Sequence, residues 1–274
     1  MRFRLHTVIH SGERSTVFSA TDRETGERLA LKASRNAHRE LAGLMSCRRC
    51  DPTLVARPAV GRVIEPYEID ARGGDLRAPR EPTIALQLHD RADARPPRCI
   101  NDFFAAGAMR PYFQSVAELH LRSGLDAHCD VKFENFVRPA GSEPGKRCLV
   151  DLEFAAHQGE PRRREFRKGT PLFMAPEMLI HRTVHPSMDS WALGIMLWQA
   201  CCAWDGSHPL VGEPGMGYDA LFSAMLEYAY DKSQWRNTAA PRASDLARLL
   251  LRKEPDERMP VCQALRHPLF SATR

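Results

Sequence analysis

The sharpest constraint in this 274-residue sequence is a change of period partway along it. Ahead of Asp90, β-branched and aromatic residues gather in short runs punctuated by turn residues, whereas beyond Asn101 apolar residues recur at helical spacing. Phe3 to Ile9, Thr16 to Thr21 and Arg28 to Ala33 read as strands, the last following the turn chemistry of Glu24-Thr25-Gly26. Arg39 to Met45 reads as a helix, and Leu54 to Ile64 and Thr83 to Leu88 as two further strands around the polar, glycine-containing stretch Asp70 to Glu81. These five strands and one helix precede Asp90 to Pro97, whose charge and prolines are those of a linker between lobes. In the second part, Tyr112 to Leu121 sets Phe113, Val116, Ala117, Leu119 and Leu121 at helical spacing, and Trp191 to Trp204 is apolar enough to be a buried helix. Ala247 to Leu251 and His267 to Phe270 read as two helices joined by an acidic turn.

With 43% hydrophobic residues the chain can bury a substantial core, as one large domain or as two small lobes. Its 8 cysteines are scattered and no secretory signal pattern precedes them, so reduced thiols in a cytoplasmic or nuclear setting are expected. Cys47 and Cys50 form a C-x-x-C with no second pair at zinc-finger spacing, which favours packing over a metal site. The run Trp191 to Trp204 is shorter than the ~20 residues a bilayer span requires, so no membrane partner is expected. The net charge of +5 rests on arginine, because lysine occurs only at Lys32, Lys132, Lys146, Lys168, Lys232 and Lys253. Pro161 to Lys168 is a basic run that reads as a solvated loop in preference to a nucleic-acid or acidic-substrate surface.

Chemistry concentrates in His128-Cys129-Asp130-Val131-Lys132-Phe133-Glu134-Asn135. Asp130 can orient or deprotonate a hydroxyl, Lys132 can neutralise a transferring phosphoryl group, and Asn135 can offer its amide oxygen to a hard cation. Taken alone the stretch is equally an ordinary turn, because Asp and Asn bond their own backbone in loops. Elsewhere, Lys32 sits on the third strand, Glu40 on the helix eight residues later, and Asp151 at the end of the short apolar run Arg147 to Val150, followed by Leu152-Glu153. Asp189 stands at the head of the apolar run, where a helix N-cap is expected.

In this order, and together with Ala175-Pro176-Glu177 and Arg258, these segments resemble the protein kinase family from about Leu5 to Phe270. The resemblance implies an α+β fold of two lobes: residues 1–91 forming a small antiparallel sheet with one helix, and residues 92–274 forming a larger, mainly helical lobe, with ATP between them. It implies Lys32 on the α- and β-phosphates with Glu40 as its partner, and Asn135 and Asp151 as magnesium ligands. It further implies Asp130 accepting the substrate hydroxyl, with Lys132 offsetting phosphoryl charge. Gly12, Val17, Ala30 and Val137 complete the implied nucleotide site, and Arg258 is implied to hold Glu177 in a buried ion pair. Lys132, two residues after Asp130, and Gly169-Thr170 look like the serine/threonine branch, so the implied partner is a protein substrate.

Three departures mark this chain within that pattern. Cys129 replaces an arginine that pairs with a phosphate in many members, and no Ser, Thr or Tyr lies between Asp151 and Gly169, so a kinase needing no activation-segment phosphate is expected. Asp151-Leu152-Glu153 replaces Asp-Phe-Gly, making Glu153 either an extra magnesium ligand or a group that misplaces Asp151. Finally, of three loop glycines only Gly12 is present, with His10 and Ser15 at the other positions. A pseudokinase acting as a binding scaffold is the alternative these departures keep open. A small-molecule phosphotransferase is disfavoured by Ala175-Pro176-Glu177 with Arg258.

Overall fold

The computed structural model describes residues 1–71, 76–89, 95–159, 171–180, 184–203 and 235–271, with 220, 223, 224 and 227. Strands β1 (Phe3–Ser11), β2 (Ser15–Asp22) and β3 (Arg28–Ser34) form where the period-2 runs lie, each joined to the next by a tight turn. Helix α1 (Ala37–Ser46) follows, then β4 (Ile69–Asp70) and β5 (Thr83–Gln87). The sheet order is β4-β1-β2-β3-β5. Its pairings are antiparallel except for β4, which runs parallel to β1 through Phe3↔Ile69 and Arg4↔Asp70.

The alternation of strand side chains divides the sheet's chemistry. Phe3, Leu5, Phe18, Ala20, Leu29 and Leu31 pack with Ile64 and Ile69 into a core on one face. On β3, Ala30 and Lys32 therefore face the other way, and the register places Val17 of β2 and Ile84 of β5 directly opposite Lys32.

Two expectations are corrected here. Leu54 to Ile64 is not a strand: its pairing with other segments is limited to isolated bridges at Val55, Pro58 and Ile64. Pro58 has no N–H to give a ladder, and Gly61 interrupts the run. The fourth strand lies further on, at Ile69–Asp70, after a 3₁₀ turn begun by Pro66, and at two residues it is too short to show alternation in sequence. The second correction is its parallel pairing in a sheet expected to be wholly antiparallel. The expected lobe boundary at 91/92, the basic run at 161–168 and Gly169-Thr170 fall outside the described residues.

The remainder is mainly helical: α2 (Asp102–Arg122), the hairpin of β6 (Phe136–Val137) and β7 (Cys148–Leu149), α3 (Pro176–Ile180), α4 (Ser187–Cys202), α5 (Pro241–Leu250), α6 (Val261–Ala264) and α7 (Pro268–Ser271). Asn101 caps α2, its side chain accepting the Phe104 N–H at 3.1 Å. Helix α4 is buried on nearly every side, as its apolar run requires. It approaches α5 so closely that a Cβ on Gly194 would lie 2.8 Å from Leu251. Among the described residues no helix is long and apolar enough to cross a membrane.

Arg258 and Glu177 meet inside this lobe, with Nη1–Oε1 at 2.5 Å and Nη2–Oε2 at 2.6 Å, both side chains buried. The guanidinium also donates to the carbonyls of Arg252 and Lys253 and lies over the Trp191 ring. The bidentate pair thus ties α3 to α4 and to the turn after α5. Arg258→Ala leaves the Glu177 carboxylate buried and unpaired and is expected to cost about 3–5 kcal/mol in urea unfolding. Combining Glu177→Leu with Arg258→Met should recover most of that loss; a double variant as unstable as Arg258→Ala would refute the charge argument.

Candidate active site

Lys32 is the junction of three segments. Its ammonium, brought inward by the alternation of β3, lies 2.8 Å from Glu40 Oε2 on α1 and 2.8 Å from Asp151 Oδ1 after β7. Burial disfavours the charge, but the two carboxylates outweigh it and hold the Lys32 pKa above its ordinary value. For Asp151 burial also acts against ionisation, and the Lys32 ammonium overcomes it, keeping the carboxyl below its usual range. Glu40 differs: burial, with the nearby charges of Asp151 and Glu153, raises it to about 7 despite Lys32. Carboxylate oxygens of Glu40, Asp151 and Glu153 lie within 4.8 Å of one another.

The second group of residues comes from one loop. Asp130 Oδ2 is 2.8 Å from Lys132 Nζ and 2.9 Å from Asn135 Nδ2, which also donates to the Asp130 carbonyl at 2.7 Å. With its amide nitrogen so engaged, Asn135 has an oxygen that joins no hydrogen bond among the described residues, and the same holds for Asp151 Oδ2. Both are oxygen donors of the type that a hard divalent cation takes.

The loop is held by a residue whose role is not visible locally. Asp189 is not the N-cap of α4, since the helix begins two residues earlier at Ser187. Its buried carboxylate instead accepts the N–H groups of His128 (2.7 Å) and Cys129 (2.9 Å) and lies 2.8 Å from His120 Nε2. Local pattern favours a cap; the tertiary partners, 60 and 61 residues away in sequence, supply better donors. His128 Nε2 in turn lies 3.0 Å from the Val150 carbonyl, linking the loop to the strand before Asp151. Cys129 (φ 67°) and Asp151 (φ 64°) occupy the left-handed region, a conformation that costs a non-glycine residue energy and that these contacts hold in place.

The structure thus gathers Lys32, Glu40 and Asp151 into one group and Asp130, Lys132 and Asn135 into another. Val17 and Ala30 share the Lys32 face of the sheet, and Val137 packs partly buried against the main core. Gly12 joins neither group: it is exposed in the β1–β2 turn, its N–H on the Ser15 carbonyl, while Arg14 of the same turn lies 5.5 Å over the Phe154 ring. Glu153 lies in a 3₁₀ turn with negative φ, so position 153 does not need glycine, and its carboxylate bonds Asn36. Beside Asp130 a pocket is lined by Cys129, Val131, Phe173, Met174, Met178 and Met188.

A family model described as the protein kinase domain matches residues 3–270. Among curated proteins, the chain is similar to calcium-dependent protein kinase 9 of Oryza sativa subsp. japonica, 29% identical over 97% of this chain and 45% of that protein. It is 25% identical to calcium-dependent protein kinase 7 of Arabidopsis thaliana, over 97% of this chain and 48% of that protein. Human MAP kinase-activated protein kinase 2 is also 25% identical, over 95% of this chain and 64% of that protein. The chain spans about half the length of the first two relatives.

The brace at Asp189 has a pH signature. Burial opposes its ionisation, but the hydrogen bond and charge of His120, with the His128 N–H, hold its carboxyl below the ordinary value of 3.8. A depressed folded value means that its contribution to stability is fully present above about pH 4 and is lost as pH falls through that value. Asp189→Asn is expected to flatten this acid limb and to speed amide exchange at His128 and Cys129 in hydrogen-exchange measurements. Unchanged protection at both amides would refute the brace.

Proposed function

The chain belongs to the protein kinase domain family, and on that premise we propose that it is an ATP- and magnesium-dependent serine/threonine protein kinase. The observation that carries this reading is Lys32, ion-paired to both Glu40 and Asp151, together with a loop that joins Asp130, Lys132 and Asn135 in one hydrogen-bonded unit. Lys32 provides a fixed positive charge for the α- and β-phosphates, its protonation secured by the two carboxylates. Val17, Ala30 and Val137 offer apolar surface for the adenine, and Gly12 lies in the turn that covers the phosphates. Asn135 and Asp151 would hold magnesium, which when bound offsets the charge of the phosphate oxygens.

Asp130 then accepts the proton side of a substrate hydroxyl and aligns it for in-line attack, while Lys132, already 2.8 Å from Asp130, offsets charge on the phosphoryl group in transfer. The pocket beside Asp130 meets Phe173 and Met174, just ahead of the segment pinned by Glu177 and Arg258, and so favours a peptide over a small-molecule acceptor.

The same reading extends to regulation. Asp189 secures the catalytic loop through main-chain N–H groups, one of them that of Cys129, so the loop does not depend on an arginine meeting a phosphate. We therefore infer activity without phosphorylation of the segment after Asp151. The pseudokinase alternative draws on Gly12 standing alone in its turn and on Glu153.

Single-turnover transfer from γ-labelled ATP separates these readings. Asp130→Ala and Lys32→Ala are each expected to lower the rate by at least about 100-fold. Phosphatase-treated protein and Thr170→Ala should keep the native rate. Equal signals from native and Asp130→Ala protein would overturn the enzyme reading, and a requirement for phosphate on Thr170 would overturn its regulatory part.

A further inference from the structure

Helix α1 carries Glu40 and must be held against the rest of the protein for Glu40 to reach Lys32. Asn36 is its N-cap residue. Asparagine is favoured there because its side-chain oxygen takes a free N–H of the first turn. In this protein the Asn36 side chain makes no such bond. Its amide instead donates to Glu153 Oε1 at 2.6 Å, across 117 positions of sequence. The Asn36 N–H is itself fixed on Ser34 Oγ at 3.2 Å.

The acceptor is equally specific. Glu153 is 4% exposed, and a buried carboxylate is costly unless hydrogen-bonded. The partner it has is a charge-assisted bond to the start of α1. A second contact lies along the same helix face, because residues 36, 40 and 43 are spaced by four and three. A Cβ on Gly43 would meet the Leu152 carbonyl oxygen at 3.0 Å, tighter than ordinary contact, so glycine eases the close approach of the helix. Residues 152 and 153 therefore grip α1 on both sides of Glu40.

We propose that Glu153 is a positioning residue: by accepting the Asn36 amide it latches α1 in the place where Glu40 pairs with Lys32. The latch is built into the fold and is present without any covalent modification. Its consequence for phosphate transfer rests on the kinase reading above, but its effect on α1 does not.

The test measures hydrogen exchange of residues 37–46 in nucleotide-free full-length protein, alongside kcat and KM for ATP. Asn36→Ala and Glu153→Leu are each expected to raise α1 exchange roughly 10-fold, the scale of a lost hydrogen bond to a charged group. Glu153→Gln keeps an acceptor oxygen and should stay near native. Asn36→Asp is the discriminating variant: it remains a good N-cap but places a carboxylate against Glu153, so it should loosen α1. The double variant Asn36→Ala with Glu153→Leu should exchange no faster than either single one.

Near-native α1 exchange in Asn36→Ala, or tightening in Asn36→Asp, would overturn the latch. So would Glu153→Gln exchanging as fast as Glu153→Leu, which would assign Glu153 a role through its charge, such as cation binding. Asn36 is exposed, so its variants fold whatever Glu153→Leu does. If the native chain transfers no phosphate yet the exchange pattern holds, the kinase reading fails and the latch stands.

Discussion

The structure depends on one buried ammonium. Lys32 sits between acids from two distant parts of the chain, 119 positions separating it from Asp151, and it joins β3, α1 and the turn after β7 through one charge. Withdrawing ions from water is expensive, and the cost is met only where geometry is good on every side. Here one ammonium pairs with Glu40 and Asp151 while Glu153 lies close to both, and burial, with the charges of Asp151 and Glu153, raises the Glu40 pKa to about 7.

Much of this was legible from residue type and order. Lysine on a strand, glutamate on the next helix, an Asp-x-Lys-x-x-Asn loop and an aspartate at a strand end are each common, and their sequence along the chain is what made them informative. Strands β1, β2 and β3 were legible because their β-branched and aromatic runs are bounded by turn residues. The stretch from Leu54 to Ile64 was not, since β-branched content records a preference for extended backbone without saying whether a partner is in reach. Only Val55, Ala56 and Ile64 of this stretch are buried, and the chain bends at 59–62 between its isolated bridges at Val55, Pro58 and Ile64.

What local pattern could not reach were contacts made at long range by residues with respectable local explanations. Asp189 satisfies the composition of a helix start and spends its carboxylate elsewhere. Gly43 looks like a defect, costing about 1 kcal/mol in a helix relative to alanine, until the Leu152 carbonyl is placed against it. Asn36 stands at the N-cap of α1, yet its side chain makes no capping bond and reaches Glu153 instead.

The brace at Asp189 also bears on what this loop can tolerate. It grips position 129 by the peptide N–H, a group every residue but proline carries, although the left-handed backbone there (φ 67°) disfavours β-branched side chains. A loop anchored in this way keeps its shape for any side chain that tolerates the left-handed backbone. At position 129 a small thiol stands on a backbone held by Asp189, while Asp130 next to it stays tied to Lys132 and Asn135.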